Sequence, residues 1–256
     1  MARIASFHLV REPGWKTPLA LARLGADRPQ LSRVDGLHFW RLLGTGRGGS
    51  TGPGGDLSRT AAFAVWDDES DLDRFLESHR IARRWRRAEE SWHVRLRAVG
   101  GHGRWRGVDV LDEMERADGR APSDDRSGSD DGGAGSEGGA RRRHEGPVAI
   151  LTRADVRRRA GRDFREASRE VDVELHRADG LIDVVGIGEA PIGRLATFSL
   201  WESLSAARDF AYAMPRHERV IAQTRDGGWY SEELFARFAP YGSTGSWDGR
   251  DPLAGR

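Results

Sequence analysis

Apolar residues in this chain recur at two periods, and the switches between them mark out the elements. Arg3–Val10 carries Ile4, Phe7, Leu9 and Val10 and reads as a strand. Thr17–Leu24 (TPLALARL) opens with threonine and proline at the first turn, then sets Leu19 and Leu21 near Leu24, as a short helix does. Gly36–Leu43 (GLHFWRLL) is a strand stopping at Gly44-Thr45-Gly46, and the glycine-rich run Arg47–Leu57 is a loop. Thr60–Trp66 (TAAFAVW) is apolar almost throughout, as a buried strand is. Acidic residues in Asp67–Asp73 then suit a helix N-terminus, with Leu72, Phe75 and Leu76 on one face. A second helix is predicted over His79–Glu90. Trp92, Val94 and Leu96 alternate with His93, Arg95 and Arg97, the pattern of a half-exposed strand.

From Pro122 to Ala140 the chain reads PSDDRSGSDDGGAGSEGGA, with no aromatic or large aliphatic residue, and such a segment cannot offset the entropy of ordering. Beyond it the pattern returns: strand Val148–Thr152, helix Ala154–Glu170, strands Leu181–Ile187 and Ala196–Trp201, helices Leu204–Tyr212 and His217–Arg225, and strand Trp229–Phe238. Tyr241–Arg256 has the Gly/Ser/Asp/Pro character of a loose tail.

The halves match in order. Asp35-Gly36-Leu37 pairs with Asp179-Gly180-Leu181, Gly44-x-Gly46 with Gly186-x-Gly188, and Phe63-x-x-Trp66 with Phe198-x-x-Trp201. In both halves the next helical phenylalanine (Phe75, Phe210) follows the tryptophan by nine residues. The predicted fold is therefore α+β: two tandem ferredoxin-like (βαββαβ) repeats whose bare sheet faces meet in a pseudo-dimeric α+β barrel. Expected boundaries are 1–112 and 147–240 for the repeats, 113–146 for a flexible acidic Gly/Ser linker, and 241–256 for a flexible tail. The space between the sheets is the expected ligand site.

Composition narrows the function. Among 256 residues, 41 Lys+Arg balance 40 Asp+Glu, which argues against a dedicated nucleic-acid binder. Absence of cysteine removes disulfides, thiolate metal sites and cysteine-ligated haem. The first ten residues do not read as a signal peptide and no apolar run approaches bilayer length, so a cytoplasmic location is expected. No two histidines have H-x-x-x-H spacing, and neither Gly-x-Gly opens a helix with a third glycine, so non-haem metal and dinucleotide sites are poor readings.

At FSLWxSxxAARxFAY (198–212), PRHERVI (215–221) and GGWYSEELFARF (227–238) the chain resembles the bacterial spheroidene monooxygenase family. The resemblance extends through Gly36–Gly46, Phe63–Trp66, RRWRRAEESW (83–92), PVAILTR (147–153) and Gly186–Glu189, leaving out the linker and the tail. It implies an oxidoreductase of the dimeric-barrel type, with haem b as cofactor, O2 and an apolar, carotenoid-like small molecule as substrates, and an external reductase or ferredoxin as electron donor. Under that implication His217, in the most family-like segment, is the axial ligand of the iron. Arg219, Arg225 and Arg237, with Arg41 and Arg153, are the propionate partners. Phe198, Trp201 and Trp229 line the substrate cavity. Read without the resemblance, His217 is a surface histidine near a helix start, most of the arginines are solvated, and the aromatics are core. His79 reads as a structural or surface residue, and His8 and His38 as core or rim. Ile81 and Trp85 amid the arginines of His79–Arg87 suggest peripheral contact with an anionic membrane, against the plainer reading of a solvated helix face. Three alternatives stay open: a non-catalytic haem or apolar-ligand binder on the same scaffold, a cofactor-free barrel monooxygenase, and an arginine-rich interaction protein.

Overall fold

The computed structural model describes residues 3–46, 55–115, 144–157, 171–189, 194–212 and 230–256. Within them, strands β1 (Ile4–Arg11), β2 (Leu37–Gly46), β3 (Gly55–Trp66), β4 (Glu90–Gly103), β5 (Val148–Val156), β6 (Leu181–Gly188), β7 (Arg194–Trp201) and β8 (Tyr230–Gly245) close into one antiparallel barrel. The strand order is β1-β3-β2-β6-β7-β5-β8-β4. The first half thus runs β4-β1-β3-β2 and the second β8-β5-β7-β6, the same order in each. Two seams join them. One is short, Gly44 facing Gly188 and Thr45 facing Ile187. The other runs the length of β4 and β8, from Trp92 opposite Gly245 to Gly103 opposite Leu234.

The described chain also holds helices α1 (Thr17–Ala26), α2 (Arg28–Leu31), α3 (Glu69–Ser78), α4 (Arg80–Trp85), α5 (Val110–Glu115) and α6 (Leu204–Tyr212). Helix α3 starts where its acidic run predicts. Asp68 caps it, the carboxylate accepting from the N–H groups of Ser70 and Asp71 at 2.8 and 3.1 Å. Leu72 and Phe75 of α3, with Ile81 and Trp85 of α4, cover Ile4, Ala62 and Trp66 on the outer face of the first half. In the second half α6 covers Val148, Ile150 and Trp201.

The inside of the barrel is filled. Phe7 and Phe198, one from each half, stack with ring centroids 3.9 Å apart and planes 7° from parallel. Phe63, Phe238, Trp92, Trp105 and Trp247 pack around them, all buried. The expected ligand space between the sheets is therefore core, because aromatic side chains from both halves meet at the centre.

Residues 241–256 are also corrected. They are built into the fold: β8 continues to Gly245, Trp247 is buried, and an antiparallel bridge joins Trp247 to Arg250. The same device follows β4, where Trp105 is buried and bridges to Val108. Both stretches read G-x-W-x-G-x-D-x-L, at 103–111 and 245–253. At the first glycine of each, φ is +97° and +89°, and a Cβ would stand 2.2 Å from Glu233 O or 2.0 Å from Ser91 O. Only glycine fits a chain turning inward that close to its neighbour. Two further boundaries move. Residue 112 lies inside α5, and β5 runs through Ala154, where a helix was expected.

Candidate functional site

Among the differences between the outer faces of the two halves, one pair of positions stands out. In the first half His8 faces His93 across β1 and β4; in the second, Thr152 faces Phe235 across β5 and β8. The first pair is sealed. His8 Nδ1 lies 2.9 Å from His93 Nδ1, and His8 Nε2 lies 2.8 Å from Ser6 Oγ, which also accepts from the Trp66 indole at 2.8 Å. The Trp85 ring sits 4.9 Å from His8. One Nδ1 must donate and the other accept, which two protonated rings cannot do. Burial, then the neighbouring His93, holds His8 well below the ordinary histidine range, and burial followed by Arg86 pushes His93 down to about 4. Beside the pair is a cleft of about 90 Å³ lined by Leu72, Leu76, His93, Arg95 and Ser243, room for a few waters and no polyene.

The second pair is more exposed. Thr152 is exposed and Phe235 half-buried. Because β4 overruns its own half, Gly100–Gly103 pair with Leu234–Arg237 and carry His102 onto this face. The His102 ring and the Arg237 guanidinium each lie 5.9 Å from the Phe235 ring. Gly100 faces Arg237, where even an added Cβ would stand 3.5 Å from the guanidinium. Among the described residues, helix α6 covers the far end of this face, where Phe210 packs 5.4 Å from Trp201. The result is an apolar floor with a cation and an imidazole at its edge. Such a surface suits a flat apolar molecule bearing a carboxylate.

Charged residues cluster at the adjoining end of the barrel. Arg153, 2 % exposed, pairs with Asp155 at 2.7 Å and Glu232 at 2.6 Å. Glu232 accepts from the N–H groups of Arg106 and Gly107, both at 2.6 Å, and so grips the turn that seats Trp105. Burial alone would raise the Glu232 carboxyl; those two N–H groups and Arg153 outweigh it and hold it below the ordinary value. Buried Glu189 pairs with Arg41 at 2.9 Å and Arg106 at 2.7 Å. Arg41 also lies 4.1 Å over Phe39, and burial brings it down to about 10 despite Glu189. Arg41 and Arg153 are thus committed to carboxylates within the fold, which corrects their reading as propionate partners.

The other expected residues scatter. Phe198 lies inside the barrel and Trp201 outside it, its indole donating to Ser199 Oγ at 2.9 Å, so the two cannot line one cavity. Arg237 stands on the face bearing Phe235. His217, Arg219, Arg225 and Trp229 lie outside the described residues. His79 is structural as expected: it caps α4 through Ile81 N at 3.3 Å and stacks on Phe75. His38 pairs with Asp67 at 2.5 Å. Sequence reasoning missed His102, Thr152 and Phe235, and missed the His8–His93 contact. One signal was present: His102 directly precedes the first G-x-W-x-G motif, whose counterpart ends the chain.

Comparison with known proteins places this geometry in a lineage. No protein-family model matches the chain. It is 29% identical over 255 residues to the spheroidene monooxygenase of Rhodobacter capsulatus, covering 99% of this chain and 96% of that protein. It is 33% identical over 216 residues to that of Rubrivivax gelatinosus, covering 84% and 73%. Among solved structures, an aldoxime dehydratase in complex with butyraldoxime superposes with a TM-score of 0.57 at 13% identity, over 94% of this chain and 80% of that one, a likeness of fold alone. The chain belongs to the spheroidene monooxygenase family, and with it to the monooxygenases.

Proposed function

We propose that the protein oxygenates an apolar, carotenoid-like substrate with O2, using haem b held on the Phe235 face of the second half and electrons from an external reductase or ferredoxin. The observation carrying this reading is a contrast among the described residues: His8, His93 and Trp85 pack together in one half, where the same strand positions of the other hold Thr152 and Phe235, with His102 and Arg237 beside the Phe235 ring. The residues fit the group. Phe235 supplies an apolar surface, Arg237 a guanidinium of the kind that suits a propionate, and His102 an imidazole beside the Phe235 ring. His217, whose segment 215–221 carries the family motif, would be the residue to bind the iron, and Arg219 and Arg225 would pair with haem carboxylates. Haem, when bound, supplies the O2 and one-electron chemistry. The chain's part would be to hold the group, orient the apolar substrate beside it and keep water away, with Trp229 proposed as a contributor. We further infer that the barrel is two tandem ferredoxin-like repeats, supported by the shared strand order and the repeated G-x-W-x-G-x-D-x-L.

The visible spectrum after haem reconstitution tests the reading. Wild-type protein should show a Soret band, His217→Ala should shift or abolish it, and Arg237→Ala should weaken haem retention several-fold. A colourless protein that still oxygenates a carotenoid would favour the cofactor-free alternative. A haem protein inert towards carotenoids, given NADH and a reductase, would favour the binding protein.

A further inference from the structure

Helix α1 wears its amphipathicity partly inside out. Its inward side, with Ala20 buried, lies on β3 and β2, yet its outward side is also apolar. Trp15, in the turn of 3₁₀ helix (Gly14–Lys16) leading into α1, is 80% exposed and Leu19 is 49% exposed. Pro18, Ala22 and Ala26 are exposed as well, so residues 15, 18, 19, 22 and 26 make a stripe of helical spacing facing solvent. Leu57, 51% exposed, adds to this end of the molecule, since Glu12 N donates to Ser58 O beside it at 2.8 Å. A solvated helix normally puts charge on that side, and exposed large apolar groups in a cluster mark a contact surface.

Cations predominate around α1, although Asp56 adjoins Leu57 and Glu89 follows Arg87. Helix α1 (TPLALARLGA) contains no acidic residue. Asp27 at its end is buried and paired with Arg84 of α4. That ion pair brings α4 against the end of α1, and α4 and its C-terminal flank present Arg80, Arg83 and Arg87 to solvent. At the other end Lys16, the sole lysine, sits 4.9 Å over the Trp15 ring. An apolar ridge led by tryptophan and flanked by cations matches the acyl boundary and anionic headgroups of a bilayer. Two copies meeting through this face would bring like charges together.

We propose that the 15–26 face is a membrane-docking surface: Trp15, Leu19 and Leu57 enter the headgroup region of an anionic bilayer while Lys16, Arg80, Arg83 and Arg87 bind its phosphates. Among the described residues no helix is long and apolar enough to cross a membrane, so contact by these helices would be peripheral. The inference gains its purpose from the proposed function, because a carotenoid-like substrate is dissolved in the bilayer.

Flotation of the full chain with phosphatidylcholine vesicles, with and without about one-third phosphatidylglycerol, tests it without haem or carotenoid. The protein should float with the anionic vesicles and remain below with the neutral ones. Trp15→Ala/Leu19→Ala should cut the bound fraction about tenfold at an unchanged melting temperature, and Arg80→Glu/Arg83→Glu should do the same. Since the chain has no cysteine, an environment-sensitive dye on Leu19→Cys should turn blue and brighten with anionic vesicles, and on Glu202→Cys should not. Wild-type protein that stays below with anionic vesicles overturns the proposal, as does flotation unaffected by both double variants. Self-association, or binding of an acidic protein, abolished by Trp15→Ala/Leu19→Ala without vesicle binding overturns it in favour of a protein partner. Vesicle binding by a protein inert towards carotenoids would leave docking standing and sink only the substrate; turnover in detergent by a protein that never floats would do the reverse.

Discussion

His8 and His93 tie the stability of the first half to pH. Both titrate below the ordinary histidine value in the folded state, through burial first. The unfolded chain therefore binds more protons as the medium is acidified, and stability is complete above about 6.5, then falls towards about 4. By linkage, His93 alone accounts for a loss on the order of 2 kcal/mol at pH 5. Urea midpoints measured at pH 7.5 and pH 5 should show the drop. The double variant His8→Thr/His93→Phe, which copies Thr152 and Phe235, should flatten it; an unchanged slope would place the acid sensitivity elsewhere. Alternation along β4 put His93 on the side opposite Trp92 and Val94, but that side is roofed by α3 and α4. A strand's period says which residues share a face, and says nothing about what covers it.

At the scale of elements, β4 and β8 matter most, because each runs past its own half and turns inward. Glu232 of the second half holds the turn at Arg106–Gly107, and Glu90 of the first accepts from Gly249 N at 2.7 Å in the turn after β8. Arg11 and Arg59 close on Asp248 in that turn. Trp105→Ala or Trp247→Ala should cost about 3–5 kcal/mol, read by denaturant unfolding, since each empties a large site with no neighbour to fill it. Glu232→Ala should cost about 2 kcal/mol, less than complete loss of a buried pair, because Arg153 keeps Asp155. The repeated G-x-W-x-G-x-D-x-L is visible in the sequence, yet its second copy sits in a stretch whose Gly, Ser, Asp and Pro content reads as a tail. Composition reports local preference; Gly245 is ordered by Ser91 and Trp92, which are far away along the chain.

For the whole molecule, the seam along β4 and β8 and the shared interior should hold the barrel together without chain continuity. Cutting a protease site inserted between residues 116 and 143 should leave two fragments that co-elute with unchanged far-ultraviolet circular dichroism; separation of the fragments would show that the connection is needed. Apolar periodicity and recurring motifs were enough to determine an α+β chain with two similarly ordered halves, most of its strands, the acid-capped α3, and its family resemblance. These depend on neighbours within a few residues or on order along the chain. Tertiary structure alone decided that aromatic side chains from both halves fill the centre of the barrel, that Arg41 and Arg153 are spent on carboxylates, that Trp247 after β8 is core, and that His102 crosses to the face bearing Phe235 and Arg237. Each of those depends on which distant strand lies alongside, and pairing register is set by the packing of the closed barrel rather than by the local pattern of any one strand.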